Sequence, residues 1–456
     1  MADGPIATTA TAKRPFRIRT ITAFVTLRPD DFDEVEDDGV TTDVTIKVDR
    51  CADILRGVEA ELRNLGYDVQ TARIATNPFG EWLIGGGGGC NVDDDDDAGR
   101  TTRRKKHARM NDAGTNDDAM TSIEIRRRLL LLDGLLDERE INFCSLGPST
   151  DPELTARACS TIVSTSGRFS CSANVEPGDV IAARAAAACM KEISTLDGGG
   201  HVDGGLGNFR FCSSTRVAGA VPFFPGARAP HACDRVSFAI GLENGGYARL
   251  LLEEAGNIGG IKRVFDERMS RELMPVQEAC SRFADGRDDS VAYLGIDTSL
   301  NPSLDDGGSV ADAIECLEEV RGDFGGTGSM AAAAAITTSL QSIPGILTTG
   351  YCGLMLPVLE DKRLAELGMA VRPRDGLTIE RLLCISSVCG VGVDTVPIPG
   401  DVSEDSLSSL ILDVAALAGR WNKPLSCRVF PVPGGAVGEM TSFDSPYMCN
   451  SRIFGL

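Results

Sequence analysis

Short β-branched runs alternate along the chain with longer stretches whose apolar residues fall three and four apart. Residues 17–25, RIRTITAFV, predict a strand, and 53–65 sets Ile54, Leu55, Val58, Leu62 and Leu65 on one helical face before Gly66 closes it. Further strands are predicted at 69–75, 141–146, 169–175, 209–213, 236–242, 291–296, 394–398 and 426–432, with a weaker one at 346–349. Helical spacing predicts helices at 153–164, 179–193, 247–254, 258–284, 310–320, 330–340 and 404–418, and the apolar segment 379–390 also reads as helix. Strand–helix alternation on this scale builds an α/β fold, a largely parallel sheet covered by helices. About ten strands are more than a simple eight-stranded barrel uses.

The pattern breaks between residues 85 and 121. Five glycines (85–89) and five aspartates (93–97) are followed by Arg103, Arg104, Lys105, Lys106 and His107. This composition reads as a disordered insertion. The expected layout is therefore a flexible tail over 1–15 and a single domain formed by 16–84 and 122–456. The aspartate run does not make a calcium loop: counted from Asp93, Ala98 takes the glycine position and Arg104 that of the bidentate glutamate. A second acidic stretch, 28–43, reads as a solvated loop.

Composition narrows the partners. With 45 Lys+Arg against 66 Asp+Glu, the net charge of −21 opposes a grip on phosphate backbones, so no nucleic acid is expected. No stretch approaches the roughly 18 apolar residues of a bilayer span, and no membrane partner is expected. The N-terminus lacks an apolar signal core, so the expected location is cytoplasmic. Fifteen cysteines, an odd number scattered from Cys51 to Cys449, read as reduced and mostly buried thiols. Cys384 and Cys389 have no second cluster to complete a zinc site, and no metal ligand is assigned.

In parallel α/β folds ligands sit beyond the carboxyl ends of the strands, so the candidate chemistry is sought there. Gly241-Leu-Glu243-Asn-Gly245 has the spacing of a nucleophile elbow with glutamate in place of serine; the alternative is a plain glycine-rich turn. Asp297 and Ser299 stand two apart at a strand end, where they either hydrogen-bond a substrate or cap turn amides. Gly326-Thr327-Gly328 runs into the alanine helix at 331–335 and offers free amides to a phosphate or carboxylate, without being a Walker loop or a dinucleotide fingerprint. The segment 349–361 joins flexible glycines to Cys352, Glu360 and Asp361 and suits a finger-like loop entering a pocket. With only His107, His201 and His231 in the chain, a Ser/His/Asp or Cys/His triad and a two-histidine zinc site are both poorly supported.

Several of these runs together resemble an uncharacterised family, domain-of-unknown-function family 711. They are 18–22 (IRTIT), 69–79 (VQTARIATNPF), 237–242 (SFAIGL), 295–299 (GIDTS), 388–394 (VCGVGVD), 398–401 (IPGD) and 428–434 (RVFPVPG). The resemblance implies a ten-stranded α/β barrel similar to that of the glycyl-radical enzymes such as pyruvate formate-lyase, helices outside and a loop threaded inside. Those enzymes carry glycine in an Arg-Val-X-Gly-Tyr motif, whereas Arg428-Val429-Phe430-Pro431 has proline in its place, so no glycyl radical is expected. A shared fold does not carry function with it.

The expectation is a non-radical enzyme acting on a polar, anionic small-molecule metabolite at the barrel mouth, its cofactor unknown. Glu243, Asp297 and Glu360 are the candidate acids and bases. Arg19 and Arg73 are candidate anion clamps, and Ser299 with the amides of Gly326, Thr327 and Gly328 candidate orienters. Each arginine has a structural alternative as a partner of helix C-termini. The competing expectation is a metabolite-binding regulatory protein without turnover. Assembly into a homo-oligomer stays open.

Overall fold

In the computed structural model the described residues are 14–33, 42–84, 114–217, 219–230, 235–287, 289–368 and 376–456, with side chains of 114–121 excluded. Nine strands form one sheet: β1 (Arg17–Val25), β2 (Ala72–Thr76), β3 (Phe143–Ser149), β4 (Phe169–Asn174), β5 (Phe211–Thr215), β6 (Val236–Glu243), β7 (Val291–Asp297), β8 (Gly392–Pro399) and β9 (Leu425–Val432). All nine firmly expected strands are present. Their order is β7-β6-β1-β2-β3-β4-β5-β9-β8. Strands β1 to β5 are parallel neighbours, while β6 runs antiparallel to β1 and β9 antiparallel to β5. Each of these carries its own parallel partner, β7 on one edge and β8 on the other.

Helices connect the strands: α1 (Asp43–Asn64), α2 (Gly114–Glu138), α3 (Pro152–Thr165), α4 (Val180–Ser194), α5 (Gly245–Ala255), α6 (Ile261–Asp285), α7 (Val310–Glu315), α8 (Ser329–Leu340), α9 (Lys362–Gly368), α10 (Ile379–Ser386) and α11 (Glu404–Trp421). Their apolar faces and the strands merge into one large core. Helix α1 starts ten residues before the expected boundary, because Val44, Val48 and Cys51 are buried between charged neighbours that blur the pattern. Within the acidic stretch Asp31 is buried against Lys47 Nζ at 2.7 Å, so it is not wholly solvated. Helix α2 begins inside the segment expected to be disordered; residues 85–113 of that segment lie outside the described ones, as do 1–13 of the N-terminal tail. The expected helix over 310–320 stops at Glu315, and the one over 379–390 at Ser386.

The weak run at 346–349 is not a strand of the sheet. The segment 348–357 instead makes single bridges to each edge: Thr348 to Ile296 of β7, Leu354 to Leu300, and Pro357 to Asp394 of β8. Gly295 permits the first approach. Its φ is +116° and an added Cβ would lie 2.5 Å from the Leu347 carbonyl oxygen, so only glycine fits there.

Candidate functional site

Arg17 and Arg19 alternate along β1, so their side chains leave the same face of the strand. Arg17 sits in register with Glu243, the last residue of β6. Both arginines form ion pairs with Glu243, whose Oε1 also accepts a hydrogen bond from Gln70 Nε2 at 2.7 Å. Arg19 reaches across to Glu360 at 3.3 Å. Glu360 ends the 3-10 turn Val358–Glu360 and receives a second arginine, Arg428 of β9, at 2.9 Å; Arg428 also holds Asp394 of β8 at 2.6 Å. An unbroken chain of alternating charge thus crosses the site: Glu243, Arg19, Glu360, Arg428, Asp394. Four of the sequence candidates, Arg19, Arg73, Glu243 and Glu360, meet here.

Arg73 of β2 differs from the others. It is buried between the rings of Phe143 and Phe224, 4.8 and 4.7 Å from their centroids, and its Nε donates to Thr71 Oγ1 at 2.9 Å. Among the described residues it has no ion-pair partner. Burial, reinforced by the nearby Arg19, lowers its pKa to about 9. A cavity of about 50 Å³ is lined by Arg19, Arg73, Asn301, Tyr351, Glu360, Asp394 and Arg428. A wider opening of about 330 Å³ shares Arg19, Arg73, Phe224 and Glu360 with it and adds Arg17, Glu243 and Tyr447. The smaller space holds a few waters or one small anionic group. Burial raises the Glu360 carboxyl above the ordinary range, against the opposing pull of Arg428 and Arg19. Arg428 is itself deep enough for burial to lower its pKa, yet Asp394 and Glu360 hold it above that of an ordinary arginine.

Asp297 and Ser299 serve a neighbouring task. Asp297 Oδ1 accepts from the Ser299 hydroxyl at 2.6 Å and from the amides of Ser299 and Cys352 at 3.1 Å, while Oδ2 accepts from the Tyr351 amide at 2.8 Å. Ser299 Oγ in turn accepts from the Gly353 amide at 3.0 Å. Neither residue lines the cavity or its opening. They pin the segment 349–353, from which Tyr351 faces the cavity, and Gly350 is held so close that a Cβ there would meet Asp297 Oδ2 at 2.2 Å. Burial raises the Asp297 carboxyl, opposed by these hydrogen bonds. Burial also pushes the Cys352 thiol up to about 12, which disfavours the thiolate a nucleophile needs.

Gly326, Thr327 and Gly328 sit before α8 and line neither space. An added Cβ on Gly326 would lie 2.0 Å from Asp323 Oδ2, so this turn already packs against a carboxylate of its own. Of the histidines, His107 and His231 lie outside the described residues. Ten of the thirteen described cysteines are buried, and no group of three or more His, Cys, Asp or Glu among the described residues is arranged to hold a metal ion. No helix among them is long and apolar enough to cross a membrane.

Sequence reasoning gave no role to Arg428, Asp394, Gln70 or the aromatic residues around Arg73. Arg428 and Asp394 did leave a signal. Each is the one charged residue of a buried, mostly apolar strand, LSCRVFPV and GVDTVPIP, where an unpaired charge would be costly.

A family model described as "Uncharacterised ACR (DUF711)" matches residues 10–444. A UPF0210 protein of Methanopyrus kandleri is 30% identical over 244 residues, covering 52% of this chain and 51% of that protein. A UPF0210 protein of Bifidobacterium longum is 38% identical over 154 residues, 32% of each chain. One of Pyrobaculum arsenaticum is 33% identical over 160 residues, 34% of each. The aligned stretches thus span about half or a third of these curated relatives.

Proposed function

The chain belongs to the uncharacterised DUF711 family, and from its cavity we propose that it binds a small anionic metabolite and performs acid–base chemistry on it with a carboxyl group. Arg73 carries this reading. A buried guanidinium between two aromatic rings, without an ion-pair partner among the described residues, is costly unless an anion visits it. Arg19 shares the cavity and supplies the second arm of the clamp.

Glu360 is the acid or base, because it lines the same space and burial favours its protonated form. Glu243, itself held by Gln70, fixes Arg19, and Arg428 with Asp394 fixes Glu360. Asp297 and Ser299 act as positioning residues for the segment that presents Tyr351. Pro431 in β9 leaves a glycyl radical out of the scheme. We also infer that 348–357 completes a ten-stranded barrel, a reading supported by its bridges to β7 and β8, and that the protein works in the cytoplasm, in keeping with its free, buried thiols.

Binding without turnover is the second reading. One observation favours it: both Glu360 oxygens already hold arginines. The test adds back the small molecule released from denatured protein to fresh wild type, Glu360→Gln and Arg73→Met and follows its concentration. Consumption by wild type but not by Glu360→Gln, with binding retained in that variant, supports the enzyme. Saturable binding with no consumption by wild type supports the regulator.

A further inference from the structure

The opening that leads to Arg73 has an aromatic wall. Only 5% of the chain is aromatic, yet Phe143, Phe209, Phe224 and Tyr447 all line this one space. Their rings form a contiguous cluster. Phe143 and Phe209 each lie against Phe224, with centroids 5.4 and 5.3 Å away, and Tyr447 stacks on Phe209 at 5.9 Å with the planes 12° apart. Although Phe209 covers one side of its ring, Tyr447 is still 47% exposed, and Phe143 and Phe224 are only half-buried. Aromatic surface is thus left open to water beside a buried guanidinium, the pairing of apolar wall and fixed polar group that small-molecule sites use.

Size separates the two spaces. The inner cavity of about 50 Å³ takes an anionic head and little more, whereas the opening of about 330 Å³ exceeds the roughly 150 Å³ in which an apolar cavity holds benzene. Arg73 and Phe224 line both, so one molecule can occupy them together. Polar groups at the approach are already engaged: the Thr71 hydroxyl donates to the Arg19 carbonyl at 2.7 Å and accepts from Arg73 Nε, and Gln70 Nε2 donates to Glu243. A sugar-like body finds these partners taken, while a planar ring stacks on the open aromatic faces without needing them.

Resting on the anion reading of Arg73, we infer that the metabolite joins its anionic oxygen head to an aromatic ring. The head meets Arg73 and Arg19 in the inner cavity, and the ring lies in the opening against the aromatic wall, with Tyr447 as the residue that selects it.

Titration calorimetry of the full chain at pH 7 tests this with two pairs of probes that share a head and differ in body: phenyl phosphate against glycerol 3-phosphate, and phenylacetate against glycerate. With the head that the clamp accepts, the aromatic member should bind about tenfold tighter or more. Tyr447→Ser, at an exposed position, should remove most of that advantage and Tyr447→Phe should keep it; Tyr447→Leu, which retains bulk without a ring, serves where serine does not fold. Arg73→Met should weaken both members of the pair. If Arg73→Met weakens neither, or no probe binds wild type, the anion reading falls and this inference falls with it. Arg73-dependent binding in which the polyol matches or exceeds the ring, or an aromatic advantage left intact in Tyr447→Ser, overturns this inference alone.

Discussion

Replacing Arg428 by methionine tests the charged chain at its centre. Arg428 donates through Nε to Asp394 at 2.6 Å, through Nη2 to Glu360 at 2.9 Å and through Nη1 to the Phe209 carbonyl at 3.2 Å, all in the buried interior. Methionine fills much of the volume and removes all three donors. Two buried carboxylates are then left short of positive charge, a loss of about 3–5 kcal/mol when one partner of a buried pair is taken away. The loss depends on pH with a defined sign. Burial already raises the Glu360 carboxyl, and removing Arg428 withdraws the largest of the three arginine attractions that oppose that rise. A carboxyl whose folded pKa exceeds its unfolded value of about 4.3 binds more protons folded than unfolded, so stability falls as pH rises through the folded pKa. The deficit of Arg428→Met is therefore full at pH 8 and smaller at pH 5. Urea denaturation followed by circular dichroism at both pH values measures it. Adding Glu360→Gln should recover part of the loss, since the stranded charge is gone. A deficit under about 1 kcal/mol at pH 8, or one as large at pH 5, refutes the reasoning.

Three further outcomes follow from particular contacts. Asp297→Asn turns one acceptor into a donor facing the Tyr351 amide or the Ser299 and Cys352 amides, and should cost about 1–3 kcal/mol in the same denaturation assay; unchanged stability contradicts its role as anchor of 349–353. Asp361→Ala strips the Ser309 hydroxyl and the amides of Val310 and Leu364 of their acceptor, at the starts of both α7 and α9, and should cost at least about 2 kcal/mol; a smaller loss means these helix ends find other acceptors. With iodoacetamide at neutral pH, exposed Cys384 should be alkylated before Cys352, whose thiol burial holds near 12; peptide mapping that finds Cys352 modified first contradicts this.

The fold was legible where hydrophobic period and strand ends coincide. Strand β1 keeps its expected bounds, because alternation of Arg17 and Arg19 with apolar residues ends cleanly before Leu27-Arg28-Pro29. Helix α1 was only half visible, since Asp43, Lys47, Asp49 and Arg50 interrupt the apolar stripe of its first turns. Part of the site was legible for the same reason. Arg19, Arg73, Glu243 and Glu360 stand at or near strand ends or beside a glycine-rich loop, where a charge calls for an explanation. The rest depends on pairing distant in sequence. Asp394 faces Arg428 only because β8 and β9 run parallel in that register, and Tyr447 joins the wall from an irregular segment near the C-terminus. Asp297 shows what spacing leaves open: two residues from Ser299 it could contact a substrate or cap turn amides, and here its oxygens accept from the amides of Ser299, Tyr351 and Cys352 while Ser299 accepts from Gly353.

The central claim is that Arg73 receives an anion. Native mass spectrometry of wild-type and Arg73→Met protein, prepared in parallel and then denatured to identify what is released, tests it most directly. The account predicts an anionic small molecule carried by wild type, or bound by it from a metabolite mixture, and lost from Arg73→Met while that variant stays folded. Equal occupancy in both proteins, or a bound molecule without an anionic group, would contradict it.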